Sequence, residues 1–409
     1  MNRTARLRRS VAMAIVVLAT VNVGSAHAKG KISRPAPTTT TTLPATTTTT
    51  VAPTAGSVCN VAPSQGEAAI MAAISACPNG SPGNRTIIRF PAGASYSQAR
   101  KIQVQDRRHI DIDGNGSTFT TTSNGTVTKA IDGNFVILRG FDIRVRNMTV
   151  RGDFTAYEGQ PRSLGTIGVG DPEFTEAQMG IGLYGVDTVY VEDVKAFNNW
   201  GDGLTTGPDE YVDGSTRDYT NNVFVRRMEV ETVGRMCWGP TSGNNIWIED
   251  SICRDAWFGG LDAEADSVEQ PLRGHHYLRN TFDGFNHFGI LIPVLTDNSG
   301  DYEIRDNRFL TANDVPSYPV ILVGMYPSNP RVATGVNVTG NSVKSYCNGI
   351  VFDHVQGGTI QNNTLTRVYK SLPDGSGTYT PTGICGADYT DPIKVANSTN
   401  VVVGPNALH

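Results

Sequence analysis

A polar turn, a short strand of the form x-V-x-V/I, an Asn or Asp step, a second short strand and a third ending in Gly-Ile/Leu recur along this chain. Units begin at Val186 ("VDTVYVEDVKAFNNWGDGLTTG"), Thr220 ("TNNVFVRRMEVETVGRMCWGPTSG"), Gly243 ("GNNIWIEDSICRDAWFGGLDAEAD"), Gly274, Ser299, Ala333 and Gly357. So short a unit cannot bury its own apolar face, so consecutive units must stack and share one core. Three short strands per repeat with no intervening helix predict an all-β fold, a single-stranded parallel β-helix. A propeller would need four longer antiparallel strands per blade. "HIDIDGNGSTF" at His109 and "FDIRVRNMTVRG" at Phe141 extend the series towards the N-terminus. Ahead of it, "GEAAIMAAISA" from Gly66 to Ala76 has helical spacing and predicts a short capping helix.

The N-terminal region is of a different kind. Arg3, Arg6, Arg8 and Arg9 precede an apolar run from Val11 to Val23, and Ala26-His27-Ala28 gives a small-x-small cleavage pattern. This reads as a secretory signal peptide over residues 1–28, the run being too short to span a bilayer. Residues 29–56 are dominated by Thr and Pro and form a linker that cannot build a core. The remainder, 57–409, is expected to be one β-helix domain, exported and monomeric, with no membrane span. Formal charge is -4 and becomes more negative once the four arginines are removed, which argues against a nucleic-acid partner. Six cysteines in an exported chain allow three disulfides; neighbours in sequence give Cys59 with Cys77, Cys237 with Cys253 and Cys347 with Cys385, one of fifteen connectivities. Their spacings do not resemble a metal site.

The coils from about residue 85 to 400 resemble the pectin-lyase-like right-handed parallel β-helix superfamily, whose members are extracellular polysaccharide hydrolases, lyases, epimerases and phage depolymerases. The resemblance implies the fold and a polysaccharide or oligosaccharide partner, and leaves the reaction open. Asn147, Asn245, Asn280, Asn307, Asn341, Asn362 and Asn363 recur at the bends, where Asn bonds backbone and tolerates left-handed geometry. Stacked on one another they would resemble the asparagine ladders of that superfamily.

Aligning the coils gives an inward column of Leu204, Trp238, Leu261, Ile290, Val320 and Ile350, and alternation then turns Asp202, Asp262 and Glu264 outward onto one strip. Two coils separate Asp202 from Asp262, about 10 Å at the ordinary strand spacing. That is close to the ~6.5–9.5 Å of an inverting glycosidase pair. Hydrolysis of a polysaccharide by paired carboxylates is therefore the leading expectation, with Asp202, Asp262 and Glu264 as carriers, roles unassigned. Asp255, His287 and Arg235 are further catalytic candidates: Arg235 to hold a carboxylate, His287 to bind a hydroxyl or move a proton. Trp200 and Trp257, each four residues before an inward Leu, are candidate stacking surfaces for sugar rings, extended by Tyr211 and Tyr157. The competing reading of both tryptophans is packing at a coil corner. Trp238 and Trp247 read as inward. Insertions after Asp153 and Thr206 are expected to wall the same groove.

Two rival readings stand beside hydrolysis. The adjacent Asp pair with a G-H-G segment and the R-I-K segment of polygalacturonases are missing, which weakens that arrangement. Elimination on a uronate would use Asp255, Asp262, Glu264 and Asp266 to gather calcium beside Arg235; calcium is expected under this reading alone, and no cofactor is expected otherwise. A non-catalytic carbohydrate-binding protein at the cell envelope would also suit a Thr-rich tether.

Overall fold

The computed structural model describes residues 56–63, 66–121, 134–154, 178–213, 218–312, 319–324, 331–345, 348–368 and 391–409. The expected signal peptide and linker, Tyr157, and Cys347 with Cys385 lie outside these residues.

The described strands pair in parallel, coil on coil, as a right-handed β-helix. Ten strands, including Leu204–Gly207, Met236–Pro240, Gly259–Asp262 and Phe288–Ile292, stack into one sheet, the third strand of every coil. The first and second strands of the coils form a twenty-stranded sheet, joined because Arg108–Thr121, Phe141–Arg151 and Asp187–Phe197 run through both faces without a break. The predicted capping helix spans Glu67–Ala76, and its Ile70 and Ile74 enter the core. No helix among the described residues is long and apolar enough to cross a membrane.

Alternation governs the core. Val189 with Val191, Val223 with Val225, Ile246 with Ile248 and Val336 with Val338 turn inward, coil above coil, and none is more than 1% exposed. One coil breaks the pattern with His275, which is fully buried and satisfied by the Tyr277 hydroxyl at 2.8 Å and the Gly243 carbonyl at 3.0 Å. The inward column of the ten-stranded sheet runs Leu204, Trp238, Leu261, Ile290, Ile321, Ile350. Ile321 thus replaces the expected Val320, whose carbonyl is taken up in the preceding bend by the Gly289 and Ile290 amides. Trp247 is also corrected: between the inward Ile246 and Ile248 it must face out, and there it stacks on His276 at 3.7 Å.

The bends divide the asparagines into two groups. Asn147, Asn245 and Asn362 adopt φ between 54° and 57°, the left-handed geometry that Asn tolerates. Asn280, Asn307, Asn341 and Asn363 are buried and form a ladder with Asn406. Each Oδ1 accepts the backbone N–H of the ladder residue before it, at 2.9 Å for Asn307, Asn341, Asn363 and Asn406. Each Nδ2 donates to a carbonyl that the turn leaves exposed inside the core, as Asn307 does to Tyr277 at 2.7 Å. A ladder of this kind satisfies polar backbone where the chain must bend inside an apolar core. Two of the expected disulfides are formed, Cys59–Cys77 and Cys237–Cys253. The second lies wholly inside the core and ties the strand Met236–Pro240 to Ile252–Ala256.

Candidate active site

Asp202 occupies the bend before Leu204–Gly207, on the outer side of the ten-stranded sheet, yet only 1% of it is exposed. Its carboxylate leans forward over the next coil. The Met236 amide donates to Oδ1 at 3.2 Å, the Arg235 Nε stands 3.8 Å from the same oxygen, and the Thr205 hydroxyl lies 3.1 Å from Oδ2. Glycine at 239 makes the lean possible, because a Cβ there would sit 2.3 Å from Asp202 Oδ2 and 3.1 Å from Thr205 Oγ1. Gly239→Ala is therefore expected to push the Asp202 carboxylate aside, since the atom displaced is the end of a movable side chain. On the paired-carboxylate reading below, turnover should fall by roughly ten- to a hundredfold, the scale of a catalytic group misplaced by about 1 Å, with Tm nearly unchanged. A comparison of kcat and thermal melts for the two proteins checks this.

Thr205 pairs with Gly239, and Trp238 with Leu261, so Asp262 lies beside Gly239 on the following rung. The carboxylate of Asp202 and the strand carrying Asp262 are consequently offset by one strand spacing, ~4.8 Å, and not by two. The two-coil separation that pointed to inversion is halved, because Asp202 sits in a bend and reaches forward rather than standing upright on a strand. Asp262 is 4% exposed, and its Oδ1 has no hydrogen-bond partner among the described residues. Burial first, and then the charge and hydrogen bond of Glu264 and the charge of Asp202, hold its carboxyl well above the usual carboxylate range, opposed by the Arg235 guanidinium. Asp262, Glu264, Asp202 and Arg235 thus form one electrostatic cluster.

The other candidates separate. His287 shares a column with Gly201, Arg235 and Phe258, each linked to the previous one by a backbone hydrogen bond. Phe258 stands between Arg235 and His287, and its ring lies 4.7 Å from the imidazole. Burial pushes His287 down to about 4, so at neutral pH it is an uncharged rim residue. Asp255 is not among the charges that act on Asp262; it lies near the end of the strand Ile252–Ala256 at φ 51°, in a column with Asn198 and Thr232, a geometry that Asp tolerates. Trp257 is 2% exposed and Trp200 9%, so neither offers a stacking face. Corner packing wins at both; Trp200 Nε1 donates to Asp153 at 2.8 Å, and its ring packs on Phe154. Tyr211, on the short helix Glu210–Asp213, is 38% exposed. Its hydroxyl bonds Asp266 and accepts from Gln270 Nε2 at 2.6 Å, so the loop after Thr206 and the loop after Glu264 are tied together on the side of the carboxylates.

Sequence reasoning missed the residues that shape the floor. Phe288 folds over Gly259, where a Cβ would meet its ring at 2.2 Å, and Phe258 packs edge-on against it at 5.5 Å. Met236, Leu291, Leu322 and Val351 complete this outer apolar cluster. A signal was present: one outward position rarely carries Leu, Leu and Val on three successive coils, with a Phe outward on the first of them, unless something covers them. The four acids once grouped for calcium are not gathered, since Asp255 is at a corner and Asp266 is with Tyr211. Among the described residues no group of three His, Cys, Asp or Glu side chains is arranged to hold a metal ion.

Stacked parallel coils and an inner asparagine ladder, with an outer acidic cluster on the third strand, define the class by its fold: a right-handed parallel β-helix. No family model matches the sequence. An uncharacterized Bacillus subtilis protein, YclG, is 22% identical over 231 residues, covering 50% of this chain and 39% of that protein, so the chain spans well under half of the relative's length. Among solved structures, the surface protein and adhesin PfbA of Streptococcus pneumoniae aligns with a TM-score of 0.53 at 12% identity, over 84% of this chain and 93% of the other. The family 28 exopolygalacturonase of Yersinia enterocolitica gives 0.52 at 12% identity, over 86% of this chain and 66% of the other. The endo-xylogalacturonan hydrolase of Aspergillus tubingensis gives 0.50 at 13%, over 86% and 95%. Structures of this fold thus include glycoside hydrolases and an adhesin.

Proposed function

We propose that this protein is an exported glycoside hydrolase that cleaves a polysaccharide with a carboxylate pair, Asp262 as the proton-bearing acid and Asp202 as its anionic partner. The observation that carries the reading is the asymmetry of the two environments. Asp262 is buried beside Glu264, which holds its carboxyl well above the usual carboxylate range, whereas Asp202 is ringed by a backbone amide, a hydroxyl and a guanidinium. A pair of carboxyl groups in such unlike surroundings can divide the roles of acid and base. Asp262 then protonates the leaving glycosidic oxygen as the bond breaks, and Asp202 faces the positive charge that develops at the anomeric carbon. Glu264 helps to keep Asp262 protonated, and Arg235 orients Asp202. Tyr211, bridging the two loops, and Phe258 supply contact surface for the sugar.

The test is incubation of the protein with a panel of neutral and acidic cell-wall polysaccharides, with and without chelator. New reducing ends without absorbance near 235 nm are expected. Chelator-sensitive absorbance would replace hydrolysis by elimination, and tight binding with neither signal would make the protein a binding module like the adhesin of the same fold. The first-formed anomer, read by NMR, distinguishes an Asp202 that delivers water from one that attacks the sugar itself.

A further inference from the structure

A second groove lies on another face of the coil. It has a volume of about 420 Å³ and is lined by Thr118, Thr149, Arg151, Phe197, Asn198 and Glu231. That volume falls within the range of small-ligand sites, ~300–1,000 Å³. The register explains how the groove is built: Arg151, Phe197 and Glu231 are direct neighbours on three consecutive rungs, and Thr118 and Thr149 are neighbours one outward position back. Phe197 therefore stands at the centre, with a cation one rung before it and an anion one rung after it, each ~4.8 Å away along the coil axis.

The polar atoms around the ring are not engaged. Among the described residues no hydrogen bond or ion pair involves the side chains of Thr118, Thr149, Arg151 or Asn198. Arg151 is exposed, whereas other arginines of the neighbouring coils have a carboxylate: Arg85 has Asp111, Arg146 has Asp113 and Arg227 has Asp193. Lys195, whose Nζ stands 5.9 Å from the Phe197 ring centroid, is already paired with Glu229 at 2.9 Å. Glu231 has only a distant contact with Arg254, at 4.0 Å. A half-buried aromatic ring, two hydroxyls, an amide and one unpaired guanidinium are the groups that a sugar acid needs. The ring meets the apolar face of a pyranose, the hydroxyls and amide take its hydroxyl groups, and the guanidinium takes its carboxylate. Glu231 accepts further hydroxyl donors on the side away from that carboxylate.

We infer that this groove is a saccharide subsite for a uronate residue, separate from the Asp202–Asp262 cluster. It does not depend on the catalytic reading. In solution it is tested by calorimetric titration of trigalacturonate, and of the same trisaccharide with its carboxyl groups reduced to alcohols, into D262N protein and its R151A, R151K and F197A derivatives. D262N keeps the acidic cluster from consuming the probe, and the readout is binding alone, so a failure here leaves the hydrolase assignment untouched and the reverse also holds. The expected result is loss of one binding event, or at least tenfold weaker binding, in R151A and in F197A, with R151K intermediate and the neutral trisaccharide at least tenfold weaker than the acidic one. An isotherm unchanged by R151A, no binding of the acidic trisaccharide, or neutral and acidic probes that bind equally would overturn it.

Discussion

Replacement of Asp262 by Asn is expected to reduce turnover by about 10²–10⁴-fold, the usual contribution of a positioned general acid, while making the fold more stable at neutral pH. Asn keeps the shape of the carboxyl group and replaces its ionisable oxygen with an amide nitrogen that cannot ionise or deliver a proton. The stability gain follows from the direction of the shift. The folded Asp262 carboxyl titrates well above its unfolded value, so its favourable contribution is complete below the ordinary carboxylate range and is lost as pH rises through the raised folded value. Between the unfolded and folded values the native protein keeps the proton at a cost, and above the folded value it buries a further charge beside Glu264 and Asp202. D262N carries neither burden. Its melting temperature relative to the parent should therefore increase as pH is raised from about 4 towards 8, by ~2–4 °C for each kcal/mol relieved. Parallel thermal melts across that range, with reducing-end assays on the substrate that the panel identifies, check both halves. Equal melting temperatures at every pH would mean that Asp262 is not the strained group, and retained turnover would remove it from the reaction.

Asn307→Ala is expected to destabilise the fold by about 3–5 kcal/mol, because several buried groups lose partners at once, each worth ~1–3 kcal/mol when left unsatisfied. The Asn280 N–H and Nδ2 lose their acceptor, and the Tyr277 carbonyl and Asn341 Oδ1 lose a donor, at a site with no exposure to water. The matched control is Asn362→Gly. Asn362 neighbours a ladder residue in sequence, but it is exposed with φ 57°, a geometry that Gly adopts without strain, so a change within ~0.5 kcal/mol is expected. Urea unfolding of the two variants separates a ladder that holds the bend from one that merely occupies it. Similar midpoints for both would count against the ladder.

The adjacent pair Asn362-Asn363 shows where sequence reading stops. Composition and spacing place asparagines at every bend, and both residues carry the same letter. Only the coil's handedness and rise decide that one sits on the outside in a left-handed conformation and the next turns inward to bond the rungs above and below it. The tryptophans tell the same story. Trp200 and Trp257 align in sequence, but whether an aligned corner residue meets solvent or core depends on how sharply the chain turns between the second and third strands. At His275 an apolar position carries an imidazole, and its acceptability rests on a tyrosine two residues on and a carbonyl from the previous coil.

The sequence by itself determined the repeating coil, the parity that turns Asp202 and Asp262 away from the core and the capping helix, because all of these follow from local periodicity, while for the cysteines it offered neighbouring pairs as one connectivity of fifteen. Only the tertiary structure decided that Asp202 reaches over Gly239 to come within one strand spacing of the Asp262 rung, that Asp255 and both tryptophans are excluded from the site, and that Phe258 and Phe288 pave its edge. The reason is physical: electrostatic coupling and burial depend on distances between coils, and a side chain that leans by a few ångströms changes them without changing a single letter of the pattern.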